Sequence, residues 1–145
     1  MNIITKEKLL ELIININFDE AYKLFAKLDF DTQKNYLEEI SIETNSILPY
    51  GFICYILTFN NSPKIHDLAI GVLLVTCWIN GAYQLVIHHI YEALKIEPTC
   101  GRKEFLLFFN QTNGPFIDRK EEKKLALEVL KENKDSNIAK KILQK

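Results

Sequence analysis

Glycine and proline are scarce, with 5 and 4 among 145 residues. That excludes a collagen-like or loop-dominated chain. There are only three cysteines, and Cys54, Cys77 and Cys100 form no Cys-x-x-Cys pair. An odd number at such spacing argues against a disulfide framework and against a zinc site; they read as small buried hydrophobes in a reducing cytosol. Charge of one sign is not in excess: the formal net charge is −1, so no global field attracts nucleic acid or an acidic lipid surface. A long hydrophobic run is missing too. The most apolar stretch, Leu68 to Ile79, carries Gly71 and Thr76 and is shorter than the roughly 20 residues a bilayer span needs, so it reads as a core helix. The start, Met1 to Lys8, has no basic head followed by an apolar run. The expectation is a cytoplasmic chain without a leader.

What is present is the balance of an ordinary globular chain, 48% apolar and 26% charged. A chain of this length buries roughly two-thirds of its unfolded surface. The expectation is one domain over residues 1–145. The periodicity is helical almost throughout. Thr5 is a cap for a first helix whose stripe is Leu9, Leu10, Leu12, Ile13 and Ile16. Asp19-Glu20 opens a second helix, with Ala21, Leu24, Phe25 and Leu28 on one face. Asp31 or Thr32 starts a third. Further helices are predicted at 47–59, 66–79, 82–96, 103–109, from Asp118 or Arg119 to Glu132, and at 137–144. Ser62-Pro63 gives a cap followed by a first-turn proline. Strand readings compete at 47–59 and 71–79, which are rich in β-branched and aromatic residues. Strictly alternating runs are absent, however, and an all-α fold of about seven to eight short helices, stacked as antiparallel pairs, is the simpler account.

Candidate chemistry is thin. His88 and His89 are adjacent, so on a helix they point about 100° apart and cannot share a metal as an i, i+4 pair could; one is expected to pack inward and be hydrogen-bonded, the other to face outward. No ligand set for a metal or cofactor is completed elsewhere. A Cys–His nucleophile pair would need Cys77 or Cys100 beside one of these histidines, and Cys77 lies in an apolar segment that disfavours a thiolate. The acid pairs Asp19-Glu20, Glu38-Glu39 and Glu121-Glu122 are expected on polar helix faces, where carboxylates are not tuned for acid/base work. Trp78, Tyr50, Tyr55, Tyr83 and Tyr91 read as core residues. The expectation is a chain that is not an enzyme.

Charge is uneven along the chain: net −4 over residues 1–60, −1 over 61–100 and +4 over 101–145. The basic tail, from Lys120 to Lys145, has no aromatic after Phe116, so it lacks the interleaved stacking residues a nucleic-acid binder uses. The acidic first part is the better candidate for a partner.

The stretch Gly81 to Pro98 resembles the second half of a tetratricopeptide repeat, with Gly81, Tyr83, Ala93, Leu94, Ile96 and Pro98 at matching places. Val86 and Ile90 stand where that family has small and aromatic residues. The wider block His66-Asp67-Leu68-Ala69, Gly81-Ala82-Tyr83, His89, Ala93-Leu94, Pro98 and Lys103 to Phe109 is similar to small helical immunity proteins encoded beside bacterial polymorphic and contact-dependent growth-inhibition toxins. That resemblance implies a binding protein that blocks a cognate toxin domain, commonly a nuclease and part of a large secreted effector. An inhibitor of a basic nuclease cleft would present acids and aromatic anchors. The candidates here are Glu11, Asp19, Glu20, Asp29, Asp31, Glu38, Glu39 and Glu43, with Tyr22, Tyr36 and Tyr50. The alternative reading is a tetratricopeptide-like adaptor that grips an extended peptide of a partner protein.

Overall fold

The computed structural model describes residues 3–145, and among these the regular structure is nine α-helices without a strand. They are α1 (Lys6–Ile14), α2 (Phe18–Phe25), α3 (Phe30–Thr44), α4 (Leu48–Leu57), α5 (Pro63–Val75), α6 (Ala82–Ile96), α7 (Cys100–Asn113), α8 (Arg119–Glu132) and α9 (Asn137–Gln144). The fold is all-α, with more helices than the seven to eight expected. Both segments with competing strand character are helical over most of their length.

Local chemistry sets the helix starts. The side chains of Thr5, Ser62, Thr99, Asp118 and Ser136 each accept a hydrogen bond from a backbone N–H three residues on, satisfying a donor the first turn leaves open. The start of α3, at Phe30, falls one to two residues earlier than the sequence suggests. Asp29 is the cap, accepting from the Thr32 amide at 2.9 Å and the Thr32 hydroxyl at 2.7 Å. Those donors hold the Asp29 carboxyl below the usual carboxylate range.

The stop of α1 is less ordinary. The Asn17 amide donates to the Leu12 carbonyl at 2.8 Å and the Ile16 amide to the Ile13 carbonyl at 3.0 Å, the bonding of a Schellman turn. Ile16 occupies the left-handed position, at φ 57°, where a β-branched residue is strained and glycine is not. Its side chain is exposed, so nothing buried is lost on removing it. Ile16→Gly is therefore expected to raise stability by about 0.5–1 kcal/mol, the relief of strain outweighing the added freedom of the unfolded chain; urea unfolding of the two proteins measures it.

The chain divides into two compact units, one ending at His89 and the other running from Ile90 to Lys145. In the first unit α3 packs chiefly on α5, α4 on α5 and α1 on α2, with α1 and α2 also reaching α4. The fully buried core joins Leu9 and Ile13 of α1, Phe25 of α2, Leu37 and Ile40 of α3, Phe52, Ile53 and Ile56 of α4, and Leu68 and Val72 of α5. Gly71 on α5 lies against the Glu38 side chain of α3. The helix expected to run to Ile79 ends at Val75, and the turn that follows closes at Gly81 with φ +90°, a conformation that suits glycine. Cys77 and Trp78 lie in that turn and are exposed, Trp78 at 57%. The expectation that both are buried is thus corrected, because no helix face turns them inward. Cys54 and Cys100 are half-buried.

In the second unit α7, α8 and α9 pack mutually around Leu106, Leu107, Phe109, Leu125, Val129 and Ile142. Here Glu122 departs from expectation: it is 4% exposed, not on a polar face. It lies three, four and seven residues before Leu125, Ala126 and Val129, on the buried stripe of α8. It accepts from Asn110 Nδ2 at 2.6 Å, Gln111 Nε2 at 2.7 Å and Arg119 Nη1 at 2.5 Å. Asn110 Oδ1 in turn accepts from the Phe116 and Ile117 amides at 2.7 and 3.1 Å, fastening the segment that contains the cis Gly114–Pro115 peptide. Arg119 Nη2 donates to the Ile142 carbonyl at 2.6 Å, joining the start of α8 to the end of α9.

Candidate functional site

The spacing of aromatic residues on α2 and α4 builds one continuous run from core to surface. Phe18, Tyr22 and Phe25 recur at four and three residues, and Phe52, Tyr55 and Phe59 at three and four, the intervals that place side chains on one helix face. Phe52 is the buried end, edge-on to Phe25 at 5.4 Å between ring centroids and tilted against Phe18 at 5.5 Å. Phe18 meets Tyr55 at 5.7 Å, Tyr55 meets Phe59 edge-on at 5.3 Å, and Phe59 meets Tyr22 edge-on at 4.9 Å. Edge-to-face pairs at these distances are the favoured aromatic geometry. Phe59, just past α4, is the outer end and 52% exposed. The Tyr55 hydroxyl donates to the Asp19 carboxylate, and that carboxylate holds the phenol above its ordinary range. Glu20, next to Asp19, pairs with Lys23 at 2.5 Å. The result is a half-exposed aromatic surface, pre-packed and edged by two acids.

The other acids named from the sequence are dispersed, and most are neutralised locally. Lys6 bridges Glu39 at 3.0 Å and Glu43, and these two carboxylates hold the ammonium well above the usual lysine range. Glu11 pairs with Lys8 at 2.9 Å and Glu38 with Lys34 at 3.3 Å. Asp29 serves as a cap; Asp31 is exposed in the first turn of α3. Tyr36 is half-buried against the core, and Tyr50 turns inward to a histidine. Of the predicted set, Asp19, Glu20 and Tyr22 come together at the aromatic run. Tyr55 and Phe59 were missed as partners of it, because α4 is apolar nearly all round and its pattern does not mark which side meets solvent.

A second constellation, with two buried histidines at its centre, runs across α4, the α4–α5 turn, α5 and α6. The Tyr50 hydroxyl lies 2.9 Å from His89 Nε2, His89 Nδ1 lies 2.8 Å from His66 Nδ1, and His66 Nε2 lies 2.7 Å from Asn61 Oδ1. His66 and His89 are 3% and 2% exposed. His88 is exposed and edge-on to His89, at 5.1 Å. Of the adjacent histidines, then, one is inward and hydrogen-bonded and the other outward, as the helix geometry predicts. Burial and the neighbouring Cys54 thiol push the Tyr50 phenol upward.

Cys77 lies beside Tyr83, and the Cys100 thiol is 3.9 Å from the Val129 carbonyl. Among the described residues, no group of three or more His, Cys, Asp or Glu side chains converges as a metal site, and no helix is long and apolar enough to cross a membrane. A pocket of about 370 Å³ in the second unit is lined by Gln111, Pro115, Ile117, Arg119, Glu122 and Lys145. Its charged groups are engaged with each other or with the backbone: Arg119 with Glu122 and the Ile142 carbonyl, Lys145 with Gln111. No family model matches the chain, and neither a curated protein nor a solved structure matches it.

Proposed function

We propose that this chain is a cytoplasmic, non-enzymatic immunity protein that binds a folded toxin domain, a nuclease with a basic cleft, through the α2–α4 aromatic face. The observation that supports this most is the ordered run from Phe52 outward to Tyr55, Phe59 and Tyr22, with Asp19 and Glu20 at its edge. Interface energy concentrates in rigid aromatic anchors that are already packed in the free protein, since little side-chain freedom is lost when they are covered. Acids beside such anchors favour a basic partner and disfavour others. The toxin of such a pair is the C-terminal domain of a large secreted effector, encoded next to its inhibitor.

The test is binding of the purified chain to the effector domain encoded beside it, by calorimetry, together with rescue of cells expressing that domain. Phe59→Ala is expected to weaken binding about tenfold or more, a loss of about 1.4 kcal/mol. Charge reversal of Asp19 and Glu20 is expected to weaken it severalfold. Circular dichroism and the melting temperature should change little for either. Unchanged affinity in both variants would remove this face as the site. Capture of a short synthetic peptide of the partner in place of the folded domain would establish the tetratricopeptide-like adaptor instead.

A further inference from the structure

We infer that Asn61, His66, His89 and Tyr50 form an acid-labile latch that joins α4, α5 and the start of α6. Asn61 Oδ1 accepts, so His66 carries hydrogen on Nε2, and in the neutral ring its Nδ1 is bare. His89 therefore donates from Nδ1 across the 2.8 Å contact. That leaves His89 Nε2 bare, and the Tyr50 hydroxyl donates to it at 2.9 Å. Every donor meets an acceptor without any net charge, and the central His66–His89 contact is buried, although Asn61 at one end is exposed and Tyr50 at the other is half-buried.

Acid disturbs this order in two steps. One added proton makes His66 a donor at both nitrogens. His89 must then donate from Nε2 to the Tyr50 oxygen, and the Tyr50 hydrogen must turn to the Cys54 sulfur, a weaker acceptor. A second proton sets N–H against N–H at the 2.8 Å contact, with two buried cations in place of one hydrogen bond. The surrounding groups do not prevent this. On α4 the neighbours are Tyr50 and Cys54, on α6 the exposed His88 and, one turn on, the half-buried Glu92 paired with Lys95, and on α5 the half-buried Asp67 that follows His66. From α3, Glu38, already paired with Lys34, faces Gly71 further along α5. A nearby carboxylate favours the first proton, whereas the collision made by the second is set by the 2.8 Å Nδ1–Nδ1 contact itself.

The fold thus holds at most one proton on this pair, whereas both rings take one in the unfolded chain, near pH 6.5. The unfolded state binds more protons below that value, so stability is present above it and is lost as pH falls through it. The folding equilibrium constant should drop at least about tenfold per pH unit below about pH 6 on this account alone.

The experiment reads the intact chain in two ways. Nitrogen-detected imidazole spectra at pH 8 should show opposite tautomers for the two buried rings, one with hydrogen on Nδ1 and one on Nε2. Urea unfolding between pH 7.5 and 5 should show the slope, kept in H88Q and reduced by about tenfold per pH unit in H66Q, where glutamine offers His89 an oxygen acceptor. Identical tautomers in the two rings, uptake of two protons with the fold intact, or an unreduced slope in H66Q would each overturn the latch. Should H66Q not fold, the tautomers and proton uptake of the natural chain decide.

Discussion

Phe52→Ala is expected to lower the stability of the first unit by about 3–5 kcal/mol. The ring is fully buried and is wedged between Phe18 and Phe25. Truncation forfeits the transfer of the ring from water and leaves a cavity walled in part by the α2 rings of Phe18 and Phe25, within a core that also holds Ile53 and Ile56. Such walls relax only in part, which places the cost toward the upper end. Since whole domains are stable by about 5–15 kcal/mol, a change of this size is a large share of the total. Chemical denaturation followed by circular dichroism measures it. Because Phe52 is also the footing of the surface aromatics, Tyr55 and Phe59 should lose order in the variant, visible as weakened near-ultraviolet dichroism even where the helices persist.

Glu122→Ala is expected to cost about 3 kcal/mol. The carboxylate is the shared acceptor for Asn110, Gln111 and Arg119, and alanine leaves those donors facing one another without it. The loss spreads because two of these three partners hold other parts: Asn110 keeps the Phe116 and Ile117 amides, and Arg119 keeps the Ile142 carbonyl of α9. Hydrogen exchange should therefore accelerate in α7, α8 and α9 together. Glu122→Gln, which retains one oxygen acceptor and adds an unwanted donor, should fall between the alanine variant and the natural protein. An alanine variant as stable as the parent would show that the buried carboxylate only offsets its own desolvation.

The helices were readable because their punctuation is local. A hydroxyl or carboxylate cap three residues before its amide partner, or a proline in the first turn, is visible without knowing the fold. Thr5, Ser62 and Asp118 carry that information in their neighbours. The buried histidine pair was not readable, because His66 and His89 are separated by a helix, a turn and part of another helix, and only packing makes them neighbours. Glu122 was misjudged for a related reason. An acid next to another acid looks solvated, and its burial follows from three donors on α7 and α8 that no single window contains. Trp78 shows the converse, since an apolar run predicts burial only while the helix lasts, and α5 ends three residues before it. At the candidate binding face the acids were legible one by one, but not the lysines that would reach them.

That last point bears on how a partner would find this surface. With Lys6, Lys8, Lys23 and Lys34 each clasped to carboxylates, several acids are masked at close range, but pairing leaves the net −4 of residues 1–60 intact, and that is the charge an approaching partner meets. Diffusional encounter with a basic partner would gain from this attraction, and added electrolyte would slow it. Residence time would be fixed separately, by how well the exposed ring of Phe59 and its neighbours are covered.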